Sequence, residues 1–164
     1  MARATAPHTL VLPIAPERWP PPLATVEVDG LHLEPKPELH VTLVGTALGA
    51  ELHATAGNHA GVLVRALRDA RDWRFERSDR HLLLRKAVVE DGRVVVAHSL
   101  IERIDLPAMA PFHRALGRLL GRQLPVPPPH VTLYTAGRAQ GIGVSSPARL
   151  RAFTVRRVAA AELA

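Results

Sequence analysis

Apolar and polar residues alternate with a period of two through much of this chain, which predicts strands. Thr9 to Ile14 is a short apolar run ended by prolines and reads as a strand. Pro20-Pro21-Pro22 forces an extended connection, because proline fixes φ and donates no hydrogen bond. Thr25 to Leu33 alternates around Asp29-Gly30, the pattern of a hairpin or bend. Pro35-Lys36-Pro37 then leads into Leu39-His40-Val41-Thr42-Leu43, a strand with His and Thr on one face. His81 to Val89 and Arg93 to Asp105 flank Glu90-Asp91-Gly92, and Asp-Gly between two such runs signals a hairpin. A second proline run leads into Pro129-His130-Val131-Thr132-Leu133. Thr135 to Ser146 reads as a loop with Gly137, Gly141 and Gly143, and a last strand covers Leu150 to Val158.

The period becomes helical in two places. From Ala56 to Arg71, Val62, Leu63, Ala66, Leu67 and Ala70 fall on one helical face. Trp73 and Phe75 follow, opening the next strand or filling core. Met109, Phe112, Leu116, Leu119 and Leu120 mark a second amphipathic helix, closed by Gly121. Helices interleaved with antiparallel hairpins predict an α+β fold. Each half supplies one helix and several strands, so two similar lobes are expected within a single domain over residues 1–164.

Composition narrows the function classes. With 164 residues, 47% of them hydrophobic, the chain can bury one core. No apolar run is long enough to span a bilayer, and the N-terminus lacks a secretory apolar stretch, so a soluble, cytoplasmic protein is expected. Cysteine is absent, which removes disulfides, thiolate metal sites and cysteine nucleophiles. The formal charge is +6, and a positive field draws phosphate-bearing ligands. Arginine-rich composition supports an anionic substrate only weakly, because codon usage can produce it too.

The main chemical signal is the repeat of His-Val-Thr-Leu at His40 and His130, 90 residues apart. Each copy sits in an apolar strand behind a proline-rich lead-in, one per half. On a strand, His and Thr at i and i+2 share a face, so each copy sets an imidazole beside a hydroxyl. Brought together, two imidazoles and two hydroxyls suit acid–base chemistry on a phosphoester.

The pattern resembles the 2H phosphoesterase superfamily, which is defined by two His-x-Thr/Ser motifs. Pro37 to Gly45 is similar to the first motif of the LigT-like (2′-5′ RNA ligase-like) branch, and Pro128 to Leu133 to the second. The resemblance implies a bilobal fold of two antiparallel-sheet lobes with flanking helices and pseudo-twofold symmetry. The motifs would then face each other across a central cleft. It also implies a phosphoric diester hydrolase acting on a 2′,3′-cyclic phosphate or a related phosphodiester. Some relatives carry a basic residue just after the second motif, where this chain has Tyr134-Thr135.

In that scheme His40 and His130 are the catalytic acid and base, and Thr42 and Thr132 hold the phosphate. No metal or other cofactor is called for. The expected partner is a nucleotide, a cyclic nucleotide or an RNA end, with no membrane association and a monomeric state favoured. A non-catalytic module that binds RNA ends or nucleotides on the same fold is the alternative. Tyr134, at i+2 from Thr132, would share its face and offer a ring for stacking on a base. Arg85 and Lys86 belong to the hairpin and read as a solvated face, with one of them a candidate to reach the cleft. The glycine-bearing loop with Arg138 is read as a flap over the ligand or an ordinary surface loop. His8, His32, His53, His59, His81, His98 and His113 lack the paired Thr and read as surface or locally bonded residues.

Overall fold

A computed structural model describes residues 8–164, so the N-terminal leader reading falls on residues outside it. The fold is mixed α+β. Strands β1 (Leu10–Pro13), β2 (Val26–Val28), β3 (Leu31–Pro35) and β4 (His40–Val44) come first. Helices α1 (Thr46–Ala56) and α2 (Ala60–Asp69) follow, joined by a 3-10 turn at Gly57–His59. Then come β5 (Glu76–Glu90), β6 (Arg93–Asp105), α3 (Met109–Leu120), β7 (His130–Ala136), α4 (Pro147–Phe153) and β8 (Thr154–Val158), with a last 3-10 turn at Ala160–Leu163. None of the described helices is long and apolar enough to cross a membrane.

The strands divide six to two rather than into matched halves. A curled antiparallel sheet has the order β2-β3-β7-β6-β5-β8, and β1-β4 forms a separate pair. Both short hairpins turn where Asp-Gly predicts. Asp29 and Gly30 have φ of 51° and 76°, and Asp91 and Gly92 have 50° and 74°. Two successive left-handed residues match the twist of the flanking strands, and Asp-Gly adopts that conformation at low cost. The curl brings the sheet's outer strands toward each other. Arg156 of β8 donates to both carboxylate oxygens of Asp29, in the β2–β3 turn, at 2.8 and 2.9 Å. It also donates to Glu162 in the final 3-10 turn.

One main core lies between the helices and one face of the large sheet. It joins Leu33, Leu83, Leu100, Val131 and Val158 of the sheet to Val41 and Leu43 of β4 and to Leu52, Val64, Met109, Phe112 and Leu116 of the helices. A smaller core on the other face joins Leu84, Ala97 and Ile101 to Ile142, Val144 and Leu150.

The structure departs from the sequence reading at four elements. Helix α1 goes unread because Gly49 and Leu52 are its only fully buried residues and its apolar stripe is faint. The first half therefore supplies two helices. In α2 the buried positions are Ala60 and Val64, whereas Val62 is 59% and Leu63 40% exposed, so the inward face is rotated from the predicted one. Strand β7 runs on to Ala136, through the predicted start of the loop. Leu150 to Phe153 is helical because Ser146 caps the segment, its hydroxyl accepting from the Arg149 amide at 3.1 Å, with Pro147 in the first helical turn.

Candidate active site

The prolines before each motif decide where the histidines stand. β3 pairs with the C-terminal part of β7, Glu34 opposite Thr135 and Pro35 opposite Tyr134. The Lys36 amide donates to the Leu133 carbonyl at 2.8 Å. Pro37 has no N–H to continue this ladder. The chain leaves it and starts β4 at His40, pairing with β1 instead, with Pro13 opposite His40. β4 therefore runs beside β7 without joining its hydrogen bonds.

Both motif strands put their apolar residues into the same core: Val41 and Leu43 from β4, Val131 and Leu133 from β7. Alternation then turns His40, Thr42, His130 and Thr132 the other way. The rings are half-buried, Thr42 is exposed and Thr132 is half-buried. His40 and His130 are close enough that charge on one acts on the other. The four residues singled out by the repeat thus stand on the outward faces of two neighbouring strands that share no ladder hydrogen bonds. Two cavities of the fold lie elsewhere, about 410 Å³ beside Leu12, Ile14, Trp73 and Phe75, and about 290 Å³ beside Lys86 and Phe153.

The second proline run orients its ring. His130 Nδ1 lies 2.8 Å from the Pro128 carbonyl oxygen, which can only accept, so Nδ1 carries the proton. A neutral His130 then has its lone pair on Nε2, and a protonated one donates from there. Burial pushes the His130 pKa down, the Pro128 carbonyl pulls it up, and Arg103 and His40 push it down, for a net lowering. Burial and Lys36 lower His40, against an upward pull from Glu38. Both rings are therefore set toward neutrality and respond to an incoming anion.

Tyr134 is not where spacing placed it. Thr132 stands opposite Ile101 and Tyr134 opposite Leu100, which leaves Leu133 as the extra residue of a β-bulge. The bulge turns Tyr134 into the main core, at 7% exposure, and Thr135 opposite Ser99 returns to the Thr132 face. A ring so enclosed has no face to offer a base, so the stacking expectation is withdrawn.

The glycine loop is anchored. The Ile142 amide donates to Ser99 Oγ at 3.1 Å, and Lys36 Nζ donates to the Ala139 carbonyl at 3.0 Å. Arg138 donates to the Gln140 and Gly141 carbonyls of its own loop. Gly141 passes so close to Thr132 that a β-carbon there would sit 3.1 Å from the hydroxyl oxygen. This loop therefore packs against the Thr132 side of β7. At Gly137, φ is +83° and a β-carbon would overlap the Val96 carbonyl. Gly137→Ala should therefore cost about 2 kcal/mol or more, through left-handed strain and the displaced strand. Urea unfolding of the variant measures it, and unchanged stability would contradict this account of the loop.

Of the other histidines, two differ from the surface reading. His113 is wholly buried in α3 and donates from Nε2 to the Leu43 carbonyl of β4 at 2.8 Å. His81 is buried and donates from Nε2 to Glu102 at 3.0 Å. His8 stacks on His53 with ring centroids 4.0 Å apart, and His32 pairs with Glu27 and Glu34 at the surface. Lys86 stands over the Phe153 ring and Arg85 opposite His98 on the long hairpin. Sequence reasoning missed Arg103, which stands directly opposite His130. Its signal is present only once the β6–β7 register is known.

No family model matches this chain, no curated protein matches it, and no solved structure matches it.

Proposed function

We propose that this chain is a 2H-type phosphodiesterase that opens a 2′,3′-cyclic phosphate on a nucleotide or RNA end. The observation that supports the reading is that two His-x-Thr strands, with their histidines 90 residues apart, lie side by side with their apolar faces in one core. In this reading β1–β4 forms one wall of the two-lobed frame and the six-stranded sheet the other.

The chemistry follows from the rings and hydroxyls. One imidazole takes a proton from water as its oxygen bonds to phosphorus. The other gives a proton to the ribose oxygen as its bond to phosphorus breaks. Thr42 and Thr132 donate to the non-bridging oxygens, where charge builds in the transition state. Strands hold these groups in place with little freedom to misalign. The scheme uses no metal ion.

Purified protein, incubated with nucleoside 2′,3′-cyclic phosphates, should hydrolyse them equally well with and without excess EDTA. Intact substrate throughout would sink the enzyme reading, and tight binding without turnover would identify a nucleotide-binding module. The pH profile adds a second check. kcat/KM reports the free protein, in which both imidazoles titrate below the ordinary 6.5. The rate-competent form has one ring protonated and one neutral, so kcat/KM should peak on the acid side of pH 6.5. The anionic substrate favours protonation, so the kcat profile should lie at higher pH. A kcat/KM maximum above neutrality would contradict the assignment.

A further inference from the structure

A pair of arginines, Arg103 and Arg80, lies beside His130. Arg103 on β6 stands opposite His130 on β7, so the two side chains leave the sheet on the same face. Its Nε is buried and has no hydrogen-bond partner among the described residues. A buried guanidinium nitrogen with nothing to donate to carries a cost that an anion would remove.

The strand beside it is bent to bring up a second cation. The β5–β6 ladder slips between Arg77 and His81. Within this bulge Asp79 holds a left-handed φ of 57°. Ser78 Oγ donates to the Arg103 carbonyl at 2.5 Å and accepts from the Arg80 amide at 3.0 Å. That hydroxyl ties the Arg80 backbone to Arg103. Arg80 is exposed, and its charge lowers the pKa of Arg103 after the larger effect of burial. Two nearby carboxylates are engaged by Arg77: Glu102 at 2.8 Å and Asp79 at 4.0 Å. A strained bulge that holds two like charges together beside a candidate phosphate site is a device for binding an anion.

We propose that Arg103 and Arg80 form a second anion subsite, so that the favoured substrate carries another phosphate next to the one being cleaved. This rests on the reading of the twin motifs as the phosphodiester site. A nucleotide with a 5′-phosphate, or an RNA end with its next internucleotide phosphate, fits; a bare nucleoside cyclic phosphate fills only half.

Equilibrium binding tests this without turnover. Adenosine 2′,5′- and 3′,5′-bisphosphate are compared with the corresponding 2′- and 3′-monophosphates, by calorimetry at low salt. The bisphosphates should bind about tenfold tighter or more, as charge-assisted bonds to a guanidinium allow. Arg80→Gln, at an exposed position, should bring the ratio to within about threefold, and Arg103→Gln likewise, with Arg103→Lys keeping part of it. Circular dichroism and melting confirm that each variant is folded. Equal affinities in the unmodified chain, a preference that survives both glutamine variants, or no binding of any of the four ligands overturns the subsite. Cyclic phosphate hydrolysis without a bisphosphate preference removes the subsite and keeps the enzyme. A bisphosphate preference without hydrolysis does the reverse.

Discussion

Replacing His130 by alanine should lower kcat/KM for a 2′,3′-cyclic nucleotide by about 10²–10⁴-fold, and replacing His40 should do the same. The His130 ring is fixed by a hydrogen bond of its own. Its Nδ1–H is held by the Pro128 carbonyl at 2.8 Å, so Nε2 is the atom left for proton transfer. Asparagine can imitate the hydrogen bond and cannot titrate, so His130→Asn should lose activity as severely as alanine. Removing the ring leaves the Pro128 carbonyl without its donor, which costs about 1 kcal/mol and leaves the chain folded. The double variant should be little worse than either single one, since the rings act as a unit. Assays on cyclic nucleotides, with melting curves beside them, decide the matter. Hydrolysis that persists in the double variant would end the proposal, and loss of activity traced to unfolding alone would support no catalytic role.

The largest effect on stability is expected at Glu102. Its side chain is 0% exposed and holds Arg77 through two hydrogen bonds and His81 through one. Burial pushes its pKa up, but His81 and Arg77 outweigh this and hold it at about 2, below the ordinary 4.5. Glu102→Ala removes the anion and leaves His81 buried without its acceptor. Breaking a buried pair in this way costs about 3–5 kcal/mol. Because the folded pKa lies below the unfolded one, this stabilisation is present above pH 4.5 and fades as pH falls toward 2. Urea unfolding should therefore show a large gap between native chain and variant at pH 7, and a smaller one at pH 3. Equal gaps would mean that Glu102 acts through packing and not through its charge. Glu102 precedes Arg103 on β6, so the buried anion fixes from one face the strand that presents the guanidinium on the other.

How far the sequence foretold this differs from residue to residue. His40, Thr42, His130 and Thr132 were legible because a repeat and a period of two are local facts. That β4 lies beside β7 was not legible from periodicity and came only through the family resemblance, since it depends on Pro37 ending one ladder. Tyr134 was misplaced because a single bulge at Leu133 reverses every face beyond it. Arg103 was invisible for the same kind of reason, as its nearness to His130 is a matter of cross-strand register. Helix α1 escaped because Gly49 and Leu52 mark too thin a stripe, and the inward face of α2 was misread because the adjacent pair Val62-Leu63 dominates its apolar pattern over Ala60 and Val64. The Asp-Gly hairpins were foretold because their backbone demand falls on two adjacent residues.

The clasp of Arg156 on Asp29 ties a late strand to an early turn. It joins the two outer strands of the curled sheet through side chains alone, while the backbones of β2 and β8 do not pair with each other. One guanidinium thus fastens the β2–β3 turn and the final 3-10 turn to the same strand.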